Sequence, residues 1–184
     1  MSILYYDGHD EKKRRVLHRY CEASSLPFRV VEPIDQNQTI AELLEGVTSS
    51  EPVHKDLPDK DLLICNQISD KQISKLLDHM RKEGMKMERT CVVTRYNISW
   101  TFVDLLHEII EEHETMELRS ACQKEIKEIS VLQEERYSPQ SWALYQDAVL
   151  KGFILLQQGR LSQEQLRGVI NEIQERKALL KQVE

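Results

Sequence analysis

The chain has 184 residues, 40% hydrophobic and 30% charged, with a formal net charge of −6. That length allows one medium domain or two small ones with a buried core, and the composition is that of a globular chain with a well-solvated surface. Up to Leu118 there are 15 Lys and Arg against 22 Asp and Glu, or −7; the remainder has 10 against 9, or +1. Neither part therefore has the basic balance with which nucleic-acid binders neutralise phosphate.

The start, Met1-Ser2-Ile3-Leu4-Tyr5-Tyr6-Asp7, lacks the charged opening and long apolar run of a secretory signal. No stretch approaches the roughly 20 apolar residues of a membrane span. The expectation is a cytoplasmic protein without a membrane partner. Cys21, Cys65, Cys91 and Cys122 stand 44, 26 and 31 residues apart with no C-x-x-C. That spacing matches neither zinc nor thioredoxin signatures, and the four read as reduced thiols acting as small hydrophobes.

Ile3-Leu4-Tyr5-Tyr6 reads as a buried strand stopped by Asp7-Gly8. A helix is predicted over about 10–23 on the spacing of Val16, Leu17 and Tyr20, with Lys12-Lys13-Arg14-Arg15 as a solvated face. Phe28-Arg29-Val30-Val31 is the second strand, ended by Pro33. Asn37 is expected to cap a short helix carrying Ile40, Leu43 and Leu44, with Gly46 as its stop. A long loop covers 47–60, including Ser49, Ser50, Pro52 and Pro58. Leu62-Leu63-Ile64-Cys65 is the third strand. Ser69 and Gln72 form a capping-box pattern for a helix buried through Ile73, Leu76, Leu77 and Met80 and stopped by Gly84. Cys91-Val92-Val93 is the fourth strand, and a periodic helix with Phe102, Leu105, Leu106, Ile109 and Ile110 starts near Ser99.

Short, apolar, nearly unalternating strands separated by helices point to a small four-stranded parallel sheet with flanking helices, in the order 2-1-3-4. Beyond about 117 only helical periodicity remains. Ile126, Ile129 and Leu132 continue a stripe to about Arg136. Ser138 caps the next helix with Pro139 at its first position, and Trp142, Tyr145, Val149, Phe153 and Leu156 are its expected buried residues, with Gly159 as its end. Ser162 and Gln165 open a last helix with Leu166, Val169, Ile170, Ile173 and Leu180. Short connections imply antiparallel neighbours. The fold class is thus α/β over 1–117, followed over 118–184 by an all-α helical hairpin or three-helix bundle.

Three segments carry a resemblance: Ile3-Leu4-Tyr5-Tyr6-Asp7-Gly8; Asn37 through Leu44; and Val93-Thr94-Arg95-Tyr96-Asn97-Ile98-Ser99-Trp100-Thr101 with Leu105-Leu106 and Glu111-Glu112-His113. On these, about 1–116 resembles a bacterial domain of unknown function, DUF3783, which implies no activity. Tyr137-Ser138, Ser141-Trp142, Tyr145, Ala148, Val169 and Leu180 resemble, over about 137–181, the helical repeat "found in various architectures". That likeness implies a helical module; its usual association with surface proteins does not carry over without an export signal.

Open parallel sheets bind ligands outside the carboxyl ends of their strands. In the expected layout that rim gathers Asp7, Gly8 and His9 after strand one, Asn66 and Gln67 after strand three, and Thr94, Asn97 and Trp100 after strand four. They make a hypothetical ligand-binding pocket; the structural reading, in which Asn97 caps or orients the last helix and Trp100 packs on the sheet, is preferred. Gly8 stands alone, so no phosphate-cradling loop exists and no cofactor is implied. His107 and His113 are six apart, about 120° around a helix, which does not make the i, i+4 metal pair. His113 reads instead as a partly buried histidine bonded to a neighbour. No catalytic nucleophile or metal set is recognisable. The leading expectation is a non-catalytic binding or scaffolding protein acting through its helical extension, with a protein partner or a second copy. The alternative is a small-molecule binder or enzyme using the strand-end rim, with 47–60 as a lid.

Overall fold

The computed structural model describes residues 1–8, 10–48 and 57–183; His9 and most of the expected lid lie outside them. Two compact units are present, Met1–Ile110 and Glu111–Glu184.

In the first unit the order is β1 (Ser2–Tyr6), α1 (Glu11–Ala23), β2 (Phe28–Val30), α2 (Ile40–Glu45), β3 (Leu62–Asn66), α3 (Asp70–Lys82), β4 (Thr90–Val92) and the start of α4 (Phe102–Glu128). The sheet order is β2-β1-β3-β4, as expected. The β1–β2 and β3–β4 pairs are parallel, but β1 and β3 are antiparallel, with Leu4 opposite Ile64. The sheet is therefore mixed rather than all-parallel. The reason is that β2 ends at the edge where β3 begins, beside Tyr6, so the chain need not recross the sheet. Strands buried on both faces look alike in either direction.

Alternation divides the core. Ile3, Tyr5, Leu63 and Cys65 pack with Val16, Leu17, Cys21, Leu76 and Met80 of α1 and α3. Leu4, Tyr6, Leu62 and Ile64 pack with Ile40, Leu43, Phe102, Leu105 and Leu106 of α2 and α4. Each such side chain contributes roughly 1.5–3 kcal/mol by leaving water.

The helix starts follow side-chain caps. Asp10 accepts from the Lys13 N–H at 3.0 Å. Thr39, not Asn37, caps α2: its hydroxyl accepts from the Glu42 N–H at 3.2 Å, and Glu42 accepts from the Thr39 N–H at 2.8 Å. Those bonds hold the Glu42 carboxyl below the usual range. Gly46 ends α2 in the left-handed region at φ 81°. The last helix of the unit begins at Phe102 because Thr101 caps it, accepting from the Asp104 N–H at 3.2 Å.

The second unit packs the later part of α4 with α5 (Pro139–Leu156) and α6 (Gln163–Ala178), a three-helix arrangement. Side chains tie α6 to α4 in steady register: Gln163 to Glu114 at 3.2 Å, Gln174 to Glu125 at 2.7 Å, and Lys177 to Glu128. The chain then returns to the start of α5, where the Ser138 N–H donates to the Lys181 carbonyl at 2.8 Å. The core holds Cys122, Trp142, Tyr145, Ala148, Val149, Leu166, Val169, Ile170 and Ile173, with Tyr137 stacked on Trp142. Among the described residues no helix is long and apolar enough to cross a membrane.

Candidate functional site

The antiparallel β1–β3 pairing splits the expected rim between opposite edges of the sheet. Asp7 and Gly8 follow β1 beside the start of β3, where a Cβ on Gly8 would stand 2.7 Å from the Lys60 backbone carbon. Asn66 lies at the other edge, next to the start of β1, and donates to the Ser2 hydroxyl at 3.4 Å. Thr94 and Asn97 follow the parallel β4 and share Asn66's edge. The residues expected to converge are thus two groups.

Asn97 is occupied by its own turn. Its Oδ1 accepts from the Thr94 N–H at 2.7 Å, and its Nδ2 donates to the Val92 carbonyl at 3.1 Å and faces the Cys91 sulfur at 3.4 Å. Thr94 Oγ1 accepts in return from the backbone of Tyr96 and Asn97. Asn97 therefore shapes the β4–α4 turn instead of capping the helix. Trp100 is 39% exposed rather than packed on the sheet, and Tyr96 and Ile98 beside it in sequence are also exposed. The Arg95 guanidinium lies over the Tyr96 ring.

The β1 end holds a charged cluster that sequence reading missed. Asp61, nine-tenths buried, receives Lys13 at 2.8 Å on Oδ2 and Arg89 at 3.6 Å on Oδ1. Arg14 reaches Asp7 at 3.2 Å. Half of the basic run on α1 is thus tied into ion pairs rather than simply solvated. Among the described residues, the Tyr5 hydroxyl and Arg89 Nε are buried without hydrogen-bond partners. Burial, and next the Asp61 charge, push the Tyr5 phenol well above its ordinary range. Both oxygens of Asp61 are engaged by cations, so the cluster offers structural clamping and no free base. Asp61 and Arg89 lie 28 positions apart (89 − 61) with no periodic signal to join them.

The thiols suit packing, not chemistry. Burial raises Cys65 to about 11 and Cys21 to about 12, whereas reactive thiols have depressed values. His113, half-buried, has Nε2 3.3 Å from the Glu117 carboxylate, although without hydrogen-bond geometry. Among the described residues no three His, Cys, Asp or Glu side chains are placed to hold a metal ion.

The remaining candidate is on α5. Trp142, Tyr145, Ala148, Val149 and Gly152 form its buried face. Phe153, expected in that core, is 52% exposed, and Leu150 and Ile154 are exposed as well. These three stand at i, i+3 and i+4, one side of a helix. At 100° per residue Phe153 falls only about 20° past buried Trp142, at the margin of the buried sector. The outward turn of Phe153 is what periodicity alone did not distinguish from burial.

Comparison with known families bears on the first unit. Residues 61–116 match the domain of unknown function DUF3783. The DUF3783 segment holds β3, α3, β4 and the first part of α4, and so includes Asn66, Thr94, Asn97 and Trp100 but neither Asp7 nor Gly8. It is shorter than the 1–116 span of the sequence resemblance, and its description states no activity. No curated protein and no solved structure matches the chain.

Proposed function

We propose that the protein is a non-catalytic binding or scaffolding protein of the bacterial cytoplasm, and that its helical unit docks through Leu150, Phe153 and Ile154 of α5. The observation that supports this reading is the exposed apolar side of that helix. Apolar residues at i, i+3 and i+4 are what one amphipathic helix presents to another. The occupant we favour is the same face of a second copy. The helical unit from Glu111 onward has 10 Lys and Arg against 13 Asp and Glu, a formal charge of only −3, so two such faces meet without the self-repulsion that high net charge brings. The strand-end alternative is weakened because its residues lie at two edges and the Asn97 amide is already used.

The test is sedimentation equilibrium of the full-length chain and of Phe153→Asp. The reading expects a concentration-dependent dimer for the former and a folded monomer for the latter. A wild-type chain that stays monomeric at the highest soluble concentration would remove the second copy as occupant.

A further inference from the structure

We infer that residues 1–46 are a second copy of the unit matched at 61–116, and that the face of the matched unit along β3, α3 and Thr101 is fitted to another copy of itself. Nothing matched assigns a family to residues 1–46; the geometry does.

Both segments read strand of five, helix of thirteen, strand of three: Ser2–Tyr6, Glu11–Ala23 and Phe28–Val30 against Leu62–Asn66, Asp70–Lys82 and Thr90–Val92. Each helix is followed, two residues on, by a left-handed residue, Ser25 at φ 52° and Gly84 at φ 74°. Each short strand leads to a turn closed by a side chain: Asp35 accepts from the Glu32 N–H at 3.0 Å, and Asn97 from the Thr94 N–H at 2.7 Å. Each turn leads to the same cap, Thr39-Ile40-Ala41-Glu42-Leu43-Leu44 and Thr101-Phe102-Val103-Asp104-Leu105-Leu106.

The contacts between the segments are reciprocal. Leu4 and Ile64, the middle residues of β1 and β3, face each other. Tyr20 and His79, each the tenth residue of its helix, meet with ring centroids 4.9 Å apart. Thr39 and Thr101 form an antiparallel bridge. Around it the Ile40 N–H donates to the Trp100 carbonyl at 3.0 Å and the Phe102 N–H to that of Gln38 at 2.8 Å. The next pair repeats the exchange, Ala41 to Ile98 at 2.9 Å and Val103 to Gln36 at 3.0 Å. When residue i bonds j, and the equivalent of j bonds the equivalent of i, the interface is isologous, as in a two-fold homodimer. Here one chain supplies both halves. Few identities survive outside the caps, and Arg29 with Asp35 stands where the other half has Cys91 with Asn97, so the repeat is faint in sequence.

The test is a full-length chain in which residues 1–46 are replaced by a second 61–108 segment. If the matched unit is self-complementary, this chain unfolds cooperatively and its strand amides keep slow hydrogen exchange. Because divergence elsewhere can prevent folding, the exchange Tyr20→His with His79→Tyr is made in the natural chain. Equivalent environments predict an unfolding midpoint like that of the wild type for the double variant, with both single variants lower. A duplicated chain without slow strand amides, together with a double variant shifted by the sum of the singles, overturns the inference.

Discussion

Gly152 of α5 lies directly against Ile173 of α6: a Cβ there would stand 2.9 Å from Ile173 Cδ1 and 3.3 Å from Ile126 Cδ1. The missing side chain lets three helices close at this level. Gly152→Ala gains about 1 kcal/mol of helix propensity but overpacks the contact, at a typical cost of about 1–3 kcal/mol. Chemical denaturation should show a net loss for Gly152→Ala. Adding Ile173→Val, which removes Cδ1, should recover part of it. A more stable Gly152→Ala protein would show that the contact is not tight.

Asp61 is the second prediction. With its carboxylate removed, the largely buried Lys13 and Arg89 lose their shared buried counter-charge and keep only the more exposed Asp10, at 3.9 Å, and Glu88, at 3.6 Å. Breaking such a buried cluster costs about 3 kcal/mol or more. Asp61→Ala should therefore lower the urea midpoint strongly, whereas removing an exposed pair such as Asp78 with Arg81 should change it by less than about 1 kcal/mol. Similar losses at the two sites would contradict the clamping role.

Asn97 should matter for stability. Asn97→Ala leaves the Thr94 N–H without its acceptor, a loss of about 1–2 kcal/mol. Asn97→Asp keeps that acceptor, as Asp35 does in the other half, and should lie between the wild type and the alanine variant in thermal unfolding. If Asn97→Ala unfolds like the wild type but loses binding of a small molecule found by thermal-shift screening, the strand-end alternative regains its footing.

The thiols give a pH dependence. Cys21 and Cys65 keep their protons in the folded state to about 12 and about 11, against an ordinary 9.0. Between those values the unfolded chain has released the protons and the folded chain has not. Stability is therefore full below pH 9.0 and falls as pH rises toward 11 and 12, by up to about 1.4 kcal/mol per unit for each thiol. Denaturation curves across that range should show the decline. At pH 8 a disulfide exchange reagent should leave both thiols unmodified until denaturant is added.

Much of the architecture was legible because it rests on local rules. The Ser69, Ser138 and Ser162 helix starts, the Gly46 stop and the strand order follow from caps, periodicity and short connections. The β1 direction did not, since Ile3 through Tyr6 are buried on both faces and carry no polar side to mark orientation. That one ambiguity dispersed the expected rim. Asp61 and Arg89 meet only through tertiary packing. Phe153 has the spacing of a core residue, and only the packed helices show that it stays exposed at the margin of the buried sector.

In the proposed dimer Leu150, Phe153 and Ile154 meet the same residues of a second copy. Gln157 is exposed on that side of α5, and a spin label on Gln157→Cys would report the meeting directly, after the same labelling of the natural chain has set the background. Double electron–electron resonance should give a short, narrow inter-label distance that disappears when Phe153→Asp is added. An absence of dipolar modulation in the labelled full-length chain, at a concentration where it remains soluble, would contradict the claim.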